Sequence, residues 1–203
     1  MTSPTAVIFD VGRVLFDWNL KFLYERLIPA GEALDAFLRD VVTPEWHFQH
    51  DAGRPFAETS AELIAEHPHH AEAIRALYPR FNETIGATLP GMADLVADLD
   101  AAGVPLYAIT NFSGEFWPQF RAREEAFFAP FRDIVVSGDE KLMKPDPAIY
   151  HLALARFGLE AADAVFVDDN ADNVTGAAAV GLHAIHFTGE PALRAELTRL
   201  ALL

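Results

Sequence analysis

Of 203 residues, 30 are acidic and 15 basic, a formal net charge of −15, and 51% are apolar or aromatic. That apolar share excludes a disordered tail, and a chain of this length buries roughly 70% of the surface its unfolded form exposes, enough for one large domain or one domain carrying an insertion. The surplus of carboxylates repels a phosphate backbone or an anionic lipid surface. No two Lys or Arg are adjacent, so no basic patch overrides that field, and neither nucleic acid nor membrane is an expected partner.

Cysteine is absent, which removes disulfides, thiolate nucleophiles and Cys-ligated zinc and leaves chemistry to oxygen and nitrogen. Residues 1–6 carry neither the basic segment nor the apolar core of a secretory signal, and no apolar stretch approaches the ~18 residues of a membrane-spanning helix. A cytoplasmic protein is the expectation.

In chain order, Ala6 to Phe9 is the first short apolar run, the length of a strand buried on both faces. It ends at Asp10, which enters the loop Val11-Gly12-Arg13-Val14-Leu15. An Asp there caps a turn as readily as it does chemistry. From Asp17 to Gly86 no convincing strand occurs, only helical periodicity, with apolar stripes at Leu34, Phe37, Leu38 and Val41 and at Ile74, Leu77, Tyr78 and Phe81. Residues 17–86 are therefore expected to form an all-helical insertion in a sheet domain made of 1–16 and 87–203. Entering after the first strand, the insertion must stand over the C-terminal edge of the sheet, where open parallel sheets bind ligands. Within it, His67, His69 and His70 flank Pro68 and read as a polar turn rather than a transition-metal site. Trp46, His47, His50 and Arg54, with Phe112, Phe116 and Trp117 of the sheet domain, read as packing residues more than as pocket walls.

Beyond the insertion, strands and helices alternate, which implies a parallel sheet covered on both faces. Met92, Leu95, Val96 and Leu99 mark one helix, stopped at Gly103. Leu106 to Ile109 is a strand ending in Thr110-Asn111, and Ile134 to Val136 is another. Lys144-Pro145-Asp146-Pro147 follows, with Asp146 as cap and Pro147 at the first helical position of a helix that runs to Gly158. Ala164 to Val167 ends in Asp168-Asp169-Asn170-Ala171-Asp172-Asn173, and Ala184 to Phe187 is the last strand. Adjacent carboxylates at a strand end need a cation, and oxygen donors select a hard ion such as Mg²⁺. A calcium loop of the EF-hand type fails, because the sixth and twelfth positions from Asp168 hold Asn173 and Ala179 rather than Gly and Glu. Asp169 or Asn170 can also cap the following helix. Pro191 to Leu203 reads as an amphipathic helix that closes the fold or meets a second copy, so monomer and homodimer both stay open.

A carboxylate nucleophile, a hydroxyl, a fixed ammonium and a carboxylate pair at one sheet edge could cradle a phosphoryl group and stabilise its transfer. In this order and at these strand ends, the four groups resemble the motifs of the haloacid dehalogenase-like (HAD) hydrolase superfamily over nearly the whole chain. The resemblance implies an α/β fold, a Rossmann-like doubly wound parallel sheet with an inserted helical cap. It implies Asp10 as nucleophile, forming an aspartyl-phosphate, Thr110, Asn111 and Lys144 as phosphoryl-binding groups, and Mg²⁺ on Asp10, the Gly12 carbonyl and Asp169. Asp168 and Asn173 would support those ligands. Most phosphatases of the superfamily carry a general acid two residues after the nucleophile, and this chain has Gly12 there. Losing such an acid costs ~10²- to 10⁴-fold when the leaving alkoxide needs a proton. The Asp-x-Gly-x-Val form and the Asp-Asp-Asn-Ala-Asp-Asn run resemble a branch that includes alpha-D-glucose-1-phosphatase. The reading is thus a Mg²⁺-dependent phosphohydrolase of a small phosphorylated metabolite, with a sugar phosphate implied by the branch. A metal-independent 2-haloacid dehalogenase and a non-catalytic phosphometabolite-binding protein are the alternatives. Asp168-Asp169 stands against the former, since the dehalogenases carry uncharged residues there. Arg13 occupies a position where relatives often have Asn or Gly.

Overall fold

The computed structural model describes residues 4–203. Strand β1 (Ala6–Phe9) leads through a short strand β2 (Phe16–Trp18) into helices α1 (Lys21–Tyr24), α2 (Glu32–Asp40), α3 (Pro44–Asp51), α4 (Phe56–Glu66) and α5 (Ala71–Arg80). The chain returns by β3 (Ile85–Thr88) to α6 (Met92–Ala101), β4 (Leu106–Thr110), α7 (Trp117–Arg123), α8 (Glu125–Phe128) and β5 (Phe131–Val136). It continues with α9 (Ser137–Glu140), α10 (Pro147–Phe157), β6 (Ala164–Asp168), α11 (Ala171–Ala179), β7 (His183–His186) and α12 (Glu190–Arg199).

Five of these strands form an all-parallel sheet in the order β5-β4-β1-β6-β7. Succession runs outward from β1 in one direction and then resumes on its other side, so β1 lies at the topological switch point where such sheets open a crevice. Alternation along β1 divides the core. Val7 and Phe9 join the face packed by α6, α12 and the aromatic residues of α7 and α8. Ala6 and Ile8 join the opposite face with Ile149 and Tyr150 of α10 and Ala177 of α11. All four are fully buried, as the continuous apolar run requires.

Local signals place the helices. Asp146 accepts from the Ala148 N–H at 2.8 Å with Pro147 just inside α10, and Gly158 ends that helix at φ +67°, a conformation that costs glycine nothing. Asn170 rather than Asp169 caps α11, accepting from Asp172 N–H at 2.9 Å. Helix α12 closes the fold through buried Leu193 and Leu197 and an Arg194–Asp98 ion pair to α6.

The insertion differs from the expected all-helical unit at its root. Strands β2 and β3 pair antiparallel, Phe16 opposite Thr88 and Trp18 opposite Ile85, tying the outgoing and returning chain together. Three residues are too few to show a period of two, and Gly86 and Ala87 carry no strand preference, so the ribbon left no pattern to read. Of the two stripes, Leu34, Phe37, Val41, Ile74, Leu77 and Phe81 are buried, whereas Tyr78 is exposed. Among the described residues no helix is long and apolar enough to cross a membrane.

Candidate active site

The crevice at the switch point opens into a cavity of about 600 Å³ between sheet and cap, within the usual range for small-molecule sites. Asp10, Gly12, Thr110, Asn111, Lys144, Asp169 and Asn173, from the ends of β1, β4 and β6 and the segment before α10, all line it. Asp168 lies fully buried behind them.

Asp10 continues the β1–β6 pairing through its N–H to Val167 O at 2.8 Å, which aims its side chain off the sheet edge. Lys144 reaches the same point from the segment before α10. Its Nζ lies 2.8 Å from Asp10 Oδ1 and 2.7 Å from Asp168 Oδ2, with the ammonium wholly buried. The amide of Asn111 holds the Lys144 main chain at both ends, accepting from its N–H at 2.9 Å and donating to its carbonyl at 3.0 Å. In this structure the Asn111 side chain is a brace for Lys144, although a phosphoryl contact was expected of it.

Asp168 is saturated by donors: Lys144 Nζ, Asn173 Nδ2 at 3.1 Å to both oxygens, and the Asn170 N–H at 2.8 Å. Tyr150 Oη in turn donates to the Asn173 carbonyl at 2.8 Å. This pattern suits a support rather than a primary ligand. Carboxylate oxygens of Asp10, Asp168 and Asp169 lie within 4.8 Å of one another, near twice the ~2.1 Å reach of a Mg²⁺–oxygen bond. Three carboxylates against one ammonium leave two negative charges, which a divalent cation balances. Burial raises the Asp10 pKa, with Lys144 opposing and Asp168 adding. Asp169 is raised by burial and then by Asp168, with Arg13 and Lys144 opposing. Lys144 is held above its ordinary value by the two carboxylates despite its burial, the largest influence, which acts downward. Crowding of this kind fits an oxygen-seeking divalent ion, with Asp169 and the second oxygen of Asp10, whose Oδ1 meets Lys144, less committed to donors than Asp168.

Arg13, on the loop after β1, has φ +60°, and its guanidinium stands 5.5 Å from the Trp18 ring centroid at the cavity rim. Of the cap and junction aromatics read as packing, Trp46, Phe116 and Trp117 are indeed buried in the core, while His47 and Phe112 also line the cavity. His67, His69 and His70 form a short turn (Pro68–His70), and the cluster of potential metal ligands found among the described residues is the carboxylate one alone.

Sequence reading passed over Asp51. It ends α3, is 4% exposed, and lines the cavity where the cap meets the sheet domain. Burial pushes its carboxyl up to about 7, Asp10 adds to this, and the Ser113 main chain and Lys144 oppose. An acid in the last turn of a helix faces the negative end of the macrodipole, and that misplacement was the available signal. The turn carrying it is pressed on the sheet domain: Gly53 has φ +88°, and a Cβ there would sit 2.7 Å from the Gly138 carbonyl. Glu115 accepts from the first N–H of α4, Phe56, at 2.7 Å.

A cavity at the switch point of a doubly wound sheet, floored by carboxylates and a lysine and roofed by helices, is an arrangement suited to hydrolysis of a small ligand. The chain belongs to the haloacid dehalogenase-like hydrolase family, whose profile matches residues 4–181. It is 31% identical over 209 residues to the sesquiterpene phosphatase astK of Aspergillus oryzae, covering 98% of this chain and 97% of that one. It is 29% identical over 196 residues to a phosphoglycolate phosphatase of Yersinia pseudotuberculosis, covering 90% and 80%. A HAD family enzyme from Bacteroides thetaiotaomicron, solved as a magnesium complex, superposes with a TM-score of 0.71 at 15% identity over 93% of this chain and 95% of that one, a likeness of fold.

Proposed function

We propose that the protein is a Mg²⁺-dependent phosphohydrolase of a small phosphorylated metabolite, acting through an aspartyl-phosphate on Asp10. The observation that carries this reading is the convergence of three carboxylates within 4.8 Å beside a buried lysine. Asp10, the Gly12 carbonyl and Asp169 would hold the ion, which supplies charge neutralisation where nucleophile and phosphoryl group meet. Thr110 and Lys144 hold the phosphoryl oxygens, Asn111 fixes Lys144, and Asp168 and Asn173 fix the lysine and the metal carboxylates.

An Asp10 oxygen attacks phosphorus, the ester P–O bond breaks, and its electron pair leaves on the alcohol oxygen. With glycine at position 12, the proton for that oxygen has another source, and Asp51 fits it: a buried carboxyl on the same cavity, pushed up to about 7 chiefly by burial. Burial pushes Asp10 up to about 7 as well, and a bound cation would be what keeps Asp10, rather than Asp51, ionised. The resulting Asp51 carboxylate then takes a proton from the water that cleaves the aspartyl-phosphate, restoring both groups.

Both relatives named above are phosphatases, but one acts on a sesquiterpene and the other on phosphoglycolate. Kinship alone therefore does not choose between an apolar and a charged leaving group, nor does it exclude the sugar phosphate implied by the branch resemblance. The test is phosphate release from a panel of esters with Mg²⁺ and with chelator, beside halide release from 2-haloacids. Mg²⁺-dependent phosphate release that is abolished by Asp10→Asn is expected. Chelator-insensitive halide release would establish the dehalogenase, and binding without turnover would establish the silent phosphometabolite receptor.

A further inference from the structure

We infer that the cavity selects the phosphate ester of a hydrophobic alcohol, a hydrocarbon chain or ring system bearing no second charged group. This rests on the phosphohydrolase reading and adds its substrate class. The wall facing the carboxylates is apolar: Trp18, Leu38, Val42, Phe48, Phe81 and Ile85. Phe48 is 49% exposed, an aromatic ring held in water at a site where a ligand would cover it.

Charge placement points the same way. The cations lining the cavity are Lys144 and Arg13. Lys144 is committed to Asp10 and Asp168 on the floor. Arg13 belongs to the loop after β1 and its guanidinium stands over the Trp18 ring, 5.5 Å from the centroid, so neither cation is carried by the cap helices. On the cap side, His47 is buried and neutral, and burial keeps the Asp51 carboxyl protonated to about pH 7. A carboxylate or second phosphate on the leaving group would enter that wall with no cationic partner, which is a costly burial. A sugar fares little better. Asn19 Oδ1 already accepts from the Lys21 N–H at 2.9 Å, so on the cap side the Asn19 amide NH2, His47 and Asp51 are the polar groups left to face several hydroxyls, and each unpaired hydroxyl is penalised. A hydrocarbon loses nothing there and gains from every methylene removed from water.

The experiment is a chain-length series of n-alkyl monophosphates, kept below their micelle concentrations, against phosphoglycolate and glucose 1-phosphate, with Mg²⁺ present. Expected is a rise in kcat/KM of about four-fold per methylene until the cavity is filled, with phosphoglycolate the poorest substrate. Leu38→Gln should flatten that slope. A flat or falling series, or a sugar phosphate or phosphoglycolate outpacing every alkyl ester, would overturn the inference. Should no ester release phosphate, the phosphohydrolase reading fails by itself. Calorimetric binding of the same series then decides the cavity: affinity rising with length sustains its apolar selectivity, and affinity independent of length refutes it.

Discussion

The Ser137 hydroxyl donates to the Asp51 main-chain carbonyl at 2.6 Å, joining the first residue of α9 in the sheet domain to the last residue of α3 in the cap. The same oxygen accepts from the Phe112 N–H at 2.9 Å, two residues after Thr110. One buried hydroxyl thus links the end of β4, which carries Thr110, to the turn that carries the proposed acid.

Ser137→Ala leaves a buried N–H and a buried carbonyl without their partner. The expected cost is about 1–3 kcal/mol, or about 2–4 °C in Tm for each kcal/mol in a protein of this size. Turnover should fall more for poor leaving groups than for good ones, because the linkage positions Asp51. An equal loss for all esters would detach Ser137 from the acid and leave it a structural residue.

Asp51→Asn should separate stability from activity. The folded pKa of about 7 exceeds the ordinary 3.8, burial being the main cause, so Asp51 costs stability above pH 7, and that cost disappears as pH falls toward 3.8. The variant should therefore be more stable than the parent at pH 8, by about 4 kcal/mol for a shift of that size, with the advantage fading as pH falls from 7 toward 3.8. Alkyl esters should lose ~10²-fold or more in kcat while aryl or acyl phosphates lose little. A uniform loss, or an advantage independent of pH, would remove Asp51 from the mechanism.

His47, 3.9 Å from Asp51, titrates in the opposite sense. Burial, then His50, lowers its pKa to about 3, so the unfolded chain binds a proton below about pH 6.5 that the native imidazole refuses. The stability this implies is complete above pH 6.5 and declines as pH falls toward 3. His47→Phe keeps a ring parallel to Phe81 and removes an unpartnered Nδ1. Its Tm advantage should grow on acidification, by about 2 kcal/mol at pH 5. An advantage that shrinks with falling pH would show the imidazole to be charged in the folded protein.

Much of the fold and the floor of the site was legible because each signal was local. An apolar run ending in Asp10 needs no distant partner to be recognised as a strand end, and Asp146-Pro147 and Gly158 announce their helix through backbone chemistry alone. Asp51 was harder to read for the converse reason. Beyond its place in the last turn of a helix, its significance comes from burial against Ser113 and Ser137, 62 and 86 residues further along the chain, and nothing in His50-Asp51-Ala52-Gly53 records that contact. The same holds for Asn111, whose amide could be assigned to the phosphoryl group from its position but is bound to the main chain of Lys144, 33 residues away.

Metal binding can be read without turnover. An ion that binds only the folded state stabilises it by RT ln(1 + [L]/Kd), about 2.7 kcal/mol at a hundredfold excess over Kd, so millimolar Mg²⁺ should raise Tm by some 5–10 °C. Asp169→Asn removes a free carboxylate and should abolish the shift. It should also stabilise the metal-free protein slightly, because it relieves the repulsion that, after burial, raises the Asp169 pKa. Asp168→Asn should behave differently, weakening the protein with and without metal, since it strips Lys144 and Asn173 of a buried partner, a loss of about 3–5 kcal/mol when one member of a buried ion pair is removed. Thermal scans of the three proteins with Mg²⁺ and with chelator separate these roles. A Mg²⁺-induced shift that survives Asp169→Asn would place the ion elsewhere.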